Sequence, residues 1–96
     1  MERMYKMYSK KVLVTNPTGL HARPAAMLAT EAAKHTVEVE LRNATKDGEF
    51  KTAKSMIAVM TAGVTSGDEV EFRADGEGEV EAVDALVALV ESGFGE

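Results

Sequence analysis

Residues 36–42, Thr-Val-Glu-Val-Glu-Leu-Arg, alternate apolar and polar side chains from one residue to the next. Successive side chains of a strand point to opposite faces of the sheet, so this alternation predicts a strand with one buried face and one face in water. Asp47-Gly48 then predicts a hairpin turn, and residues 49–53 predict a returning strand with Phe50 as its main apolar anchor. A hairpin that is wet on one face predicts a sheet that helices cover on one side only.

Outward from this hairpin, helical and strand patterns alternate along the whole chain. The patterns predict further strands over residues 11–15 and 69–74, and helices over residues 22–34, 54–63 and 78–91. The side chains predicted to be buried are Ala25, Leu28, Ala29 and Ala32 in the first helix, Val70, Phe72 and Ala74 in the last strand, and Val80, Val83, Leu86, Val87 and Val90 in the last helix. The order β-α-β-β-α-β-α predicts an open two-layer α+β domain and leaves the strand order undetermined.

Composition limits the classes of function that fit this chain of 96 residues. A single domain over residues 1–96 is expected, with residues 1–6 as an N-terminal extension. There is no Cys, no apolar run of membrane-spanning length and no signal-peptide pattern, so a cytoplasmic protein without disulfides is expected, with no membrane partner. The net charge of −5 argues against nucleic-acid binding. Neither His has carboxylates at metal-ligand spacing, so no metal and no cofactor are expected.

The chemically most informative stretch is Thr18-Gly19-Leu20-His21-Ala22-Arg23-Pro24-Ala25, where a loop becomes the first helix. The amides of Ala22, Arg23 and Ala25 are predicted to point out of the helix start, which forms an anion site together with the helix dipole. The guanidinium of Arg23 matches phosphate geometry. This set predicts transient phosphorylation of the neutral His21 imidazole. A single His beside a helix start is more often a loop or capping residue, so physical chemistry alone leaves that alternative open.

The string from Gly19 to Ala25 resembles the active-site signature of the HPr family, the histidine-containing phosphocarriers of the bacterial phosphoenolpyruvate-dependent sugar phosphotransferase system. The resemblance extends from about Met7 to Gly95. It implies an open-faced sandwich in which a four-stranded antiparallel sheet carries three helices on one face. It also implies that enzyme I phosphorylates His21 on Nδ1, that Arg23 assists, and that IIA domains of sugar permeases receive the phosphoryl group. The protein would then be a stoichiometric carrier rather than an enzyme.

A second stretch, residues 52–60, resembles the regulatory segment of the same family. The resemblance implies that HPr kinase/phosphorylase phosphorylates Ser55, which weakens exchange with enzyme I and signals to a carbon catabolite transcription factor. From its position alone, Ser55 predicts the N-cap of the second helix. The two roles are compatible, because a phosphate at a helix start is locally favourable yet adds charge beside an interaction surface.

Apolar side chains on the short second helix predict a docking surface for partner proteins. Met56, Ile57 and Met60 exceed what the core of so short a helix needs, and Met suits a surface that accepts several partners. The resemblance places this helix and the first helix on a shared docking face, which adds Ala26 and Met27. A monomer is expected, because such a carrier must dock several proteins in turn.

Some features depart from the family pattern, and other functions remain open. The hairpin over residues 43–50 is longer than usual, and Ala58 stands where many members have Gly. The same chemistry could serve a nitrogen-regulatory or other kinase branch. A non-catalytic regulator acting only through Ser55 would not need the His21 and Arg23 found here, and a hydrolase would need a base, metal or pocket beside His21.

Overall fold

Four strands and three helices follow in the order β-α-β-β-α-β-α through residues 7–96, which are the residues that the computed structural model describes. The strands are β1 (Tyr8–Leu13), β2 (Val39–Asn43), β3 (Lys51–Thr52) and β4 (Glu69–Ala74). The helices are α1 (Ala22–Ala33), α2 (Met56–Thr61) and α3 (Glu79–Glu91), and a 3₁₀ turn (Gly93–Gly95) follows α3. The extension predicted for residues 1–6 lies outside the described residues.

The four strands form one antiparallel sheet in the order β1-β4-β2-β3. Ala74 at the end of β4 lies opposite both Tyr8 of β1 and Val39 of β2, so β4 is a central strand. Val70, Phe72 and Ala74 are buried as predicted, on the face that the helices cover. The predicted fold class, an open-faced α+β sandwich, is therefore confirmed.

The core lies between this sheet face and the helices, and most of the predicted apolar stripes reach it. In α1, Ala25, Leu28 and Ala32 are fully buried, whereas Ala29 is only partly buried. In α3 one expectation is wrong: Val80 is 45% exposed. It lies in the first turn of the helix, and Ala82 takes the buried position one turn before Leu86. The other four residues of that stripe, Val83, Leu86, Val87 and Val90, are buried.

The hairpin between β2 and β3 differs most from the prediction. The turn at Asp47-Gly48 is confirmed, with Asp47 at a φ of 54°. Because the Gly48 amide donates to the Asn43 carbonyl at 2.9 Å, β2 ends there, and the chain rejoins the sheet only at Lys51–Thr52. The strand predicted over residues 49–53 is therefore reduced to two residues.

Phe50 is consequently not the core anchor that its apolar character suggested. Its ring lies on the outer face of the sheet, where the guanidinium of Arg73 is 3.5 Å and that of Arg42 is 5.1 Å from the ring centroid. Cations over an aromatic face are attracted by its quadrupole, so two arginines hold the ring away from the core.

The first strand also begins earlier than predicted, at Tyr8, and ends at Leu13. Val14 is buried but lies beyond the end of the strand. Its amide donates at 2.9 Å to the carbonyl of Asp68, in the turn before β4. Asp84 of α3 ties β1 to the helical layer by accepting from the Tyr8 hydroxyl at 2.8 Å and pairing with Lys10 at 3.1 Å. Among residues 7–96, no helix has the length and apolar character needed to cross a membrane.

Candidate functional site

His21 is the N-cap residue of α1, and its side chain is exposed. Its backbone is extended, with φ −88° and ψ −160°, and its ring makes no capping hydrogen bond. The imidazole is thus free to meet another molecule, as the sequence predicted. The expectation for Ala25 is wrong: its amide donates to the His21 carbonyl at 2.8 Å, because that bond closes the first helical turn.

The amides of Ala22 and Arg23 precede this first intrahelical bond. Neither finds a backbone acceptor in the described part of the chain, and the next residue, Pro24, has no N–H. No acidic residue lies in the first turn of α1 to offset the positive end of the helix dipole. Two unpaired donors and the dipole therefore form an anion site beside the His21 ring.

The guanidinium of Arg23 hydrogen-bonds to a backbone carbonyl and a sulfur rather than to His21. One nitrogen donates to the Phe94 carbonyl at 2.6 Å and the other to the Met27 sulfur at 3.3 Å, so its hydrogen bonds do not go to the His21 ring. Arg23 thereby joins the start of α1 to the 3₁₀ turn after α3. The side chain remains exposed, which leaves it able to exchange these acceptors for a phosphoryl oxygen.

A polar cluster that the sequence did not predict joins Asn16 and Thr18, in the loop before α1, to Glu96. Glu96 accepts from the Thr18 hydroxyl at 2.7 Å and from the Asn16 amide at 3.1 Å, and these two bonds lower the pKa of its carboxyl group. Asn16 is buried, and its side-chain oxygen has no partner within residues 7–96. The contact joins residues 80 positions apart, and no local pattern in the sequence indicates it.

A cleft of about 200 Å³ opens beside His21. Its lining residues are Thr18, Leu20, His21, Met60, Gly63, Val64 and Thr65. Gly63, Val64 and Thr65 form the far wall of the cleft. This wall lies close to the loop before α1 because the Leu20 amide donates to the Val64 carbonyl at 3.0 Å. Gly19, at a φ of +65°, permits that approach, since a Cβ there would lie 2.7 Å from the same carbonyl oxygen.

Ser55 is the N-cap of α2, as predicted. Its hydroxyl oxygen accepts from the Ala58 amide at 3.1 Å. Directly after it, Met56 is 39% and Ile57 is 73% exposed, so α2 presents an apolar surface beside the capping serine. Its role as a phosphorylation site stays a prediction.

The other predicted docking residues fall in two places. Met60 lines the His21 cleft and packs partly against the core. Ala26 and Met27 are partly buried and line a separate groove of about 340 Å³ that runs between α1 and Leu89 of α3. The structure thus brings Met60 to His21, whereas Ala26 and Met27 lie along a different surface.

Comparison with known proteins identifies the family to which the chain belongs. A family model described as the "PTS HPr component phosphorylation site" matches residues 8–92. The chain is 44% identical over 85 residues to the HPr-like protein Crh of Bacillus subtilis, covering 88% of this chain and 96% of Crh. It is 40% identical over 84 residues to the phosphocarrier protein HPr of Haemophilus influenzae, covering 88% and 95%. The chain therefore belongs to the HPr family of phosphocarrier proteins.

Longer proteins and solved structures agree with this assignment. The chain is 37% identical over 84 residues, 88% of its length, to a multiphosphoryl transfer protein of H. influenzae, of which it spans 17%. The crystal structure of HPr-C-His from Thermoanaerobacter tengcongensis superposes with a TM-score of 0.84 at 40% identity, covering 93% of this chain and 97% of that one. The fold is thus that of solved HPr structures.

Proposed function

We propose that this protein accepts a phosphoryl group on His21 from enzyme I and passes it to IIA domains of sugar permeases. The observation that carries the proposal is the exposed His21 imidazole beside the unpaired amides of Ala22 and Arg23. A nucleophile and an anion site at the same helix start are what a reversible phosphoryl carrier requires.

The transfer itself is a simple exchange of bonds to phosphorus. The neutral Nδ1 of His21 attacks the phosphoryl group of phosphorylated enzyme I, an N–P bond forms, and the bond to the donor breaks with its electron pair going to the donor. The amides of Ala22 and Arg23 stabilise the charge on the transferred group. We propose that the Arg23 guanidinium leaves the Phe94 carbonyl and binds a phosphoryl oxygen. The IIA acceptor then attacks the same phosphorus, and the N–P bond breaks with its electron pair returning to the His21 imidazole. The protein is therefore a stoichiometric carrier rather than an enzyme.

Partner docking is proposed for the exposed surface of α2. Met56 and Ile57 supply apolar area next to the cap of the helix, and Met60 extends it to the cleft. Phosphorylation of Ser55 by HPr kinase/phosphorylase would place a dianion beside Ile57 and weaken binding of enzyme I. The same phosphoserine would serve a carbon catabolite transcription factor. We place this monomeric carrier in the cytoplasm.

Two alternatives keep the same fold. The 44% identity to the HPr-like protein Crh favours a regulator that acts through Ser55 alone. The exposed His21 and its anion site count against that alternative, because a regulator has no use for them. A carrier in a nitrogen-regulatory branch would use the same His21 chemistry with a different enzyme I.

The test is labelling by enzyme I and phosphoenolpyruvate, followed by intact mass. We expect one phosphoryl group that is lost in acid and retained in base. His21→Ala should remain unlabelled with an unchanged circular dichroism spectrum, and the matched control His35→Ala should be labelled normally. Ser55→Asp, which keeps a capping oxygen but adds charge, should be labelled more slowly. Labelling of His21→Ala would end the proposal, and wild-type protein left unlabelled by sugar-branch enzyme I would favour the alternatives.

A further inference from the structure

One buried carboxylate, Asp68, has no part in the chemistry described so far. It lies in the turn before β4, and only 7% of the residue is exposed. One oxygen accepts from the Thr65 amide at 3.1 Å, the Thr65 hydroxyl at 3.1 Å and the Asn43 side-chain amide at 2.9 Å. Lys46 of the long hairpin also reaches this oxygen, at 3.3 Å. These donors hold the pKa of Asp68 at about 2, with the Thr65 amide as the largest cause and Asn43 next.

The Asp68 network holds the segment over residues 63–65 on both sides of Val64. Asp68 binds Thr65 directly, and Asn43, itself buried, donates its second amide hydrogen to the Gly63 carbonyl at 3.1 Å. The residue between them is therefore fixed from β2 and from the start of β4. The segment is also the far wall of the His21 cleft.

The fixed segment in turn determines where the loop before α1 lies. The Val64 carbonyl accepts from Leu20, the residue immediately before His21, at 3.0 Å. Gly19 packs so tightly on the same carbonyl that no side chain fits between the two loops. A displacement of residues 63–65 is thus passed to the backbone at His21 through one hydrogen bond and one close contact.

We propose that Asp68 and Asn43 are positioning residues for phosphoryl transfer, which fix the Val64 carbonyl and through it the His21 backbone. This inference rests on the proposed function of His21. Reactive groups displaced by a fraction of an ångström lose transfer rate, while affinity for partners that dock elsewhere is retained. The pair therefore affects the rate within the complex with enzyme I rather than its formation.

The experiment compares Asp68→Asn with Asp84→Asn as a matched control. Asp84 is also a carboxylate with a lowered pKa, but its partners Tyr8 and Lys10 do not line the cleft. Transfer from enzyme I is measured against carrier concentration, at a temperature where urea titration shows each variant folded. We expect Asp68→Asn to lower the maximal rate about tenfold with a half-saturating concentration within about twofold of wild type. Asp84→Asn should match wild type in both.

A spectroscopic measurement separates positioning from stability. In ¹H–¹⁵N spectra, the Leu20 and His21 amides and the His21 ring should shift in Asp68→Asn and remain in place in Asp84→Asn. If Asp68→Asn does not fold, Thr65→Ala removes only the hydroxyl bond and should give a smaller rate loss in the same direction. Wild-type rates in the folded Asp68 variant, or an equal rate loss in Asp84→Asn, would overturn this inference and leave the proposed function of His21 unaffected. A wild-type protein that enzyme I does not label would overturn the proposed function and this inference together.

Discussion

Gly19 determines how closely the two loops beside His21 approach each other. Its backbone lies in the left-handed region, and a Cβ at this position would meet the Val64 carbonyl oxygen at 2.7 Å and the Thr65 Cα at 2.8 Å. Both neighbours are backbone atoms that cannot rotate away. At the scale of single residues, the cleft therefore depends on the absence of a side chain at position 19.

Gly19→Ala is expected to destabilise the fold by more than its backbone conformation alone explains. The left-handed conformation costs about 1–2 kcal/mol for a residue with a Cβ, and overpacking adds about 1–3 kcal/mol. Gly63→Ala is the matched control, because Gly63 has a φ of +69° and no atom within 4 Å of its added Cβ. Urea unfolding of both variants gives the difference. Equal losses of unfolding free energy would contradict the close contact.

Single residues were predictable from sequence where their role is local. The exposed His21 and the cap at Ser55 depend on neighbours within a few positions, and the structure confirms both. The acceptor of Arg23 was not predictable, because Phe94 lies 71 positions away and only the packed fold brings the two together. The expectation for the Ala25 amide was wrong because only the N-cap and the first three helical residues lack an intrahelical acceptor, and Ala25 is the fourth helical residue.

At the scale of elements, patterning predicted β4 better than β3. The alternation over residues 69–74 coincides with the observed strand, because a half-buried central strand must keep its register on both sides. The returning hairpin strand has no such constraint, since only two of its residues pair with β2. Arg42 of β2 and Arg73 of β4 instead hold the Phe50 ring on the outer face of the sheet.

Phe50→Ala tests that placement directly. A ring held by cation–π contacts on the outer face should cost about 1–2 kcal/mol of unfolding free energy when truncated. Phe72→Ala, on the buried face of β4, should cost about 3–5 kcal/mol. Chemical denaturation at low ionic strength measures both. A loss at Phe50 as large as that at Phe72 would mean that Phe50 anchors the core after all.

At the scale of the whole molecule, several carboxylates favour the folded state at neutral pH. Hydrogen bonds lower the pKa of Asp68, of Asp84 through Tyr8 and then Lys10, and of Glu96 through Thr18 and Asn16. Burial alone would raise the pKa of Glu31, but bonds from His35 and Lys34 bring it below its ordinary value. A group with a lowered pKa in the folded state stabilises that state only while it is ionised.

This stabilisation is therefore expected to be present above the ordinary pKa values of these groups, 4.5 for Glu31 and Glu96 and 3.8 for Asp68 and Asp84, and to be lost as the pH falls below them. For Asp68 the window runs from its ordinary value of 3.8 down to about 2. Urea unfolding between pH 7 and pH 2 should show this decline in the wild type and a shallower decline in Asp68→Asn, since the variant lacks one of the linked protons. Curves that fall in parallel would show that the Asp68 carboxylate has the same pKa in the folded and unfolded chains.

The strand order has a consequence for how the protein is made. Because β4 lies between β1 and β2, a nascent chain that has not yet reached residue 69 has no partner for its first strand and only the two-residue pairing with β3 for its second. A two-stranded hairpin alone is marginal in water, so a stable sheet is expected only once the central strand is available. His21 precedes both contacts along the chain, because its loop needs the Val64 carbonyl and Arg23 needs the Phe94 carbonyl. The site proposed for phosphoryl transfer is thus complete only after residues 64–94 have been synthesised.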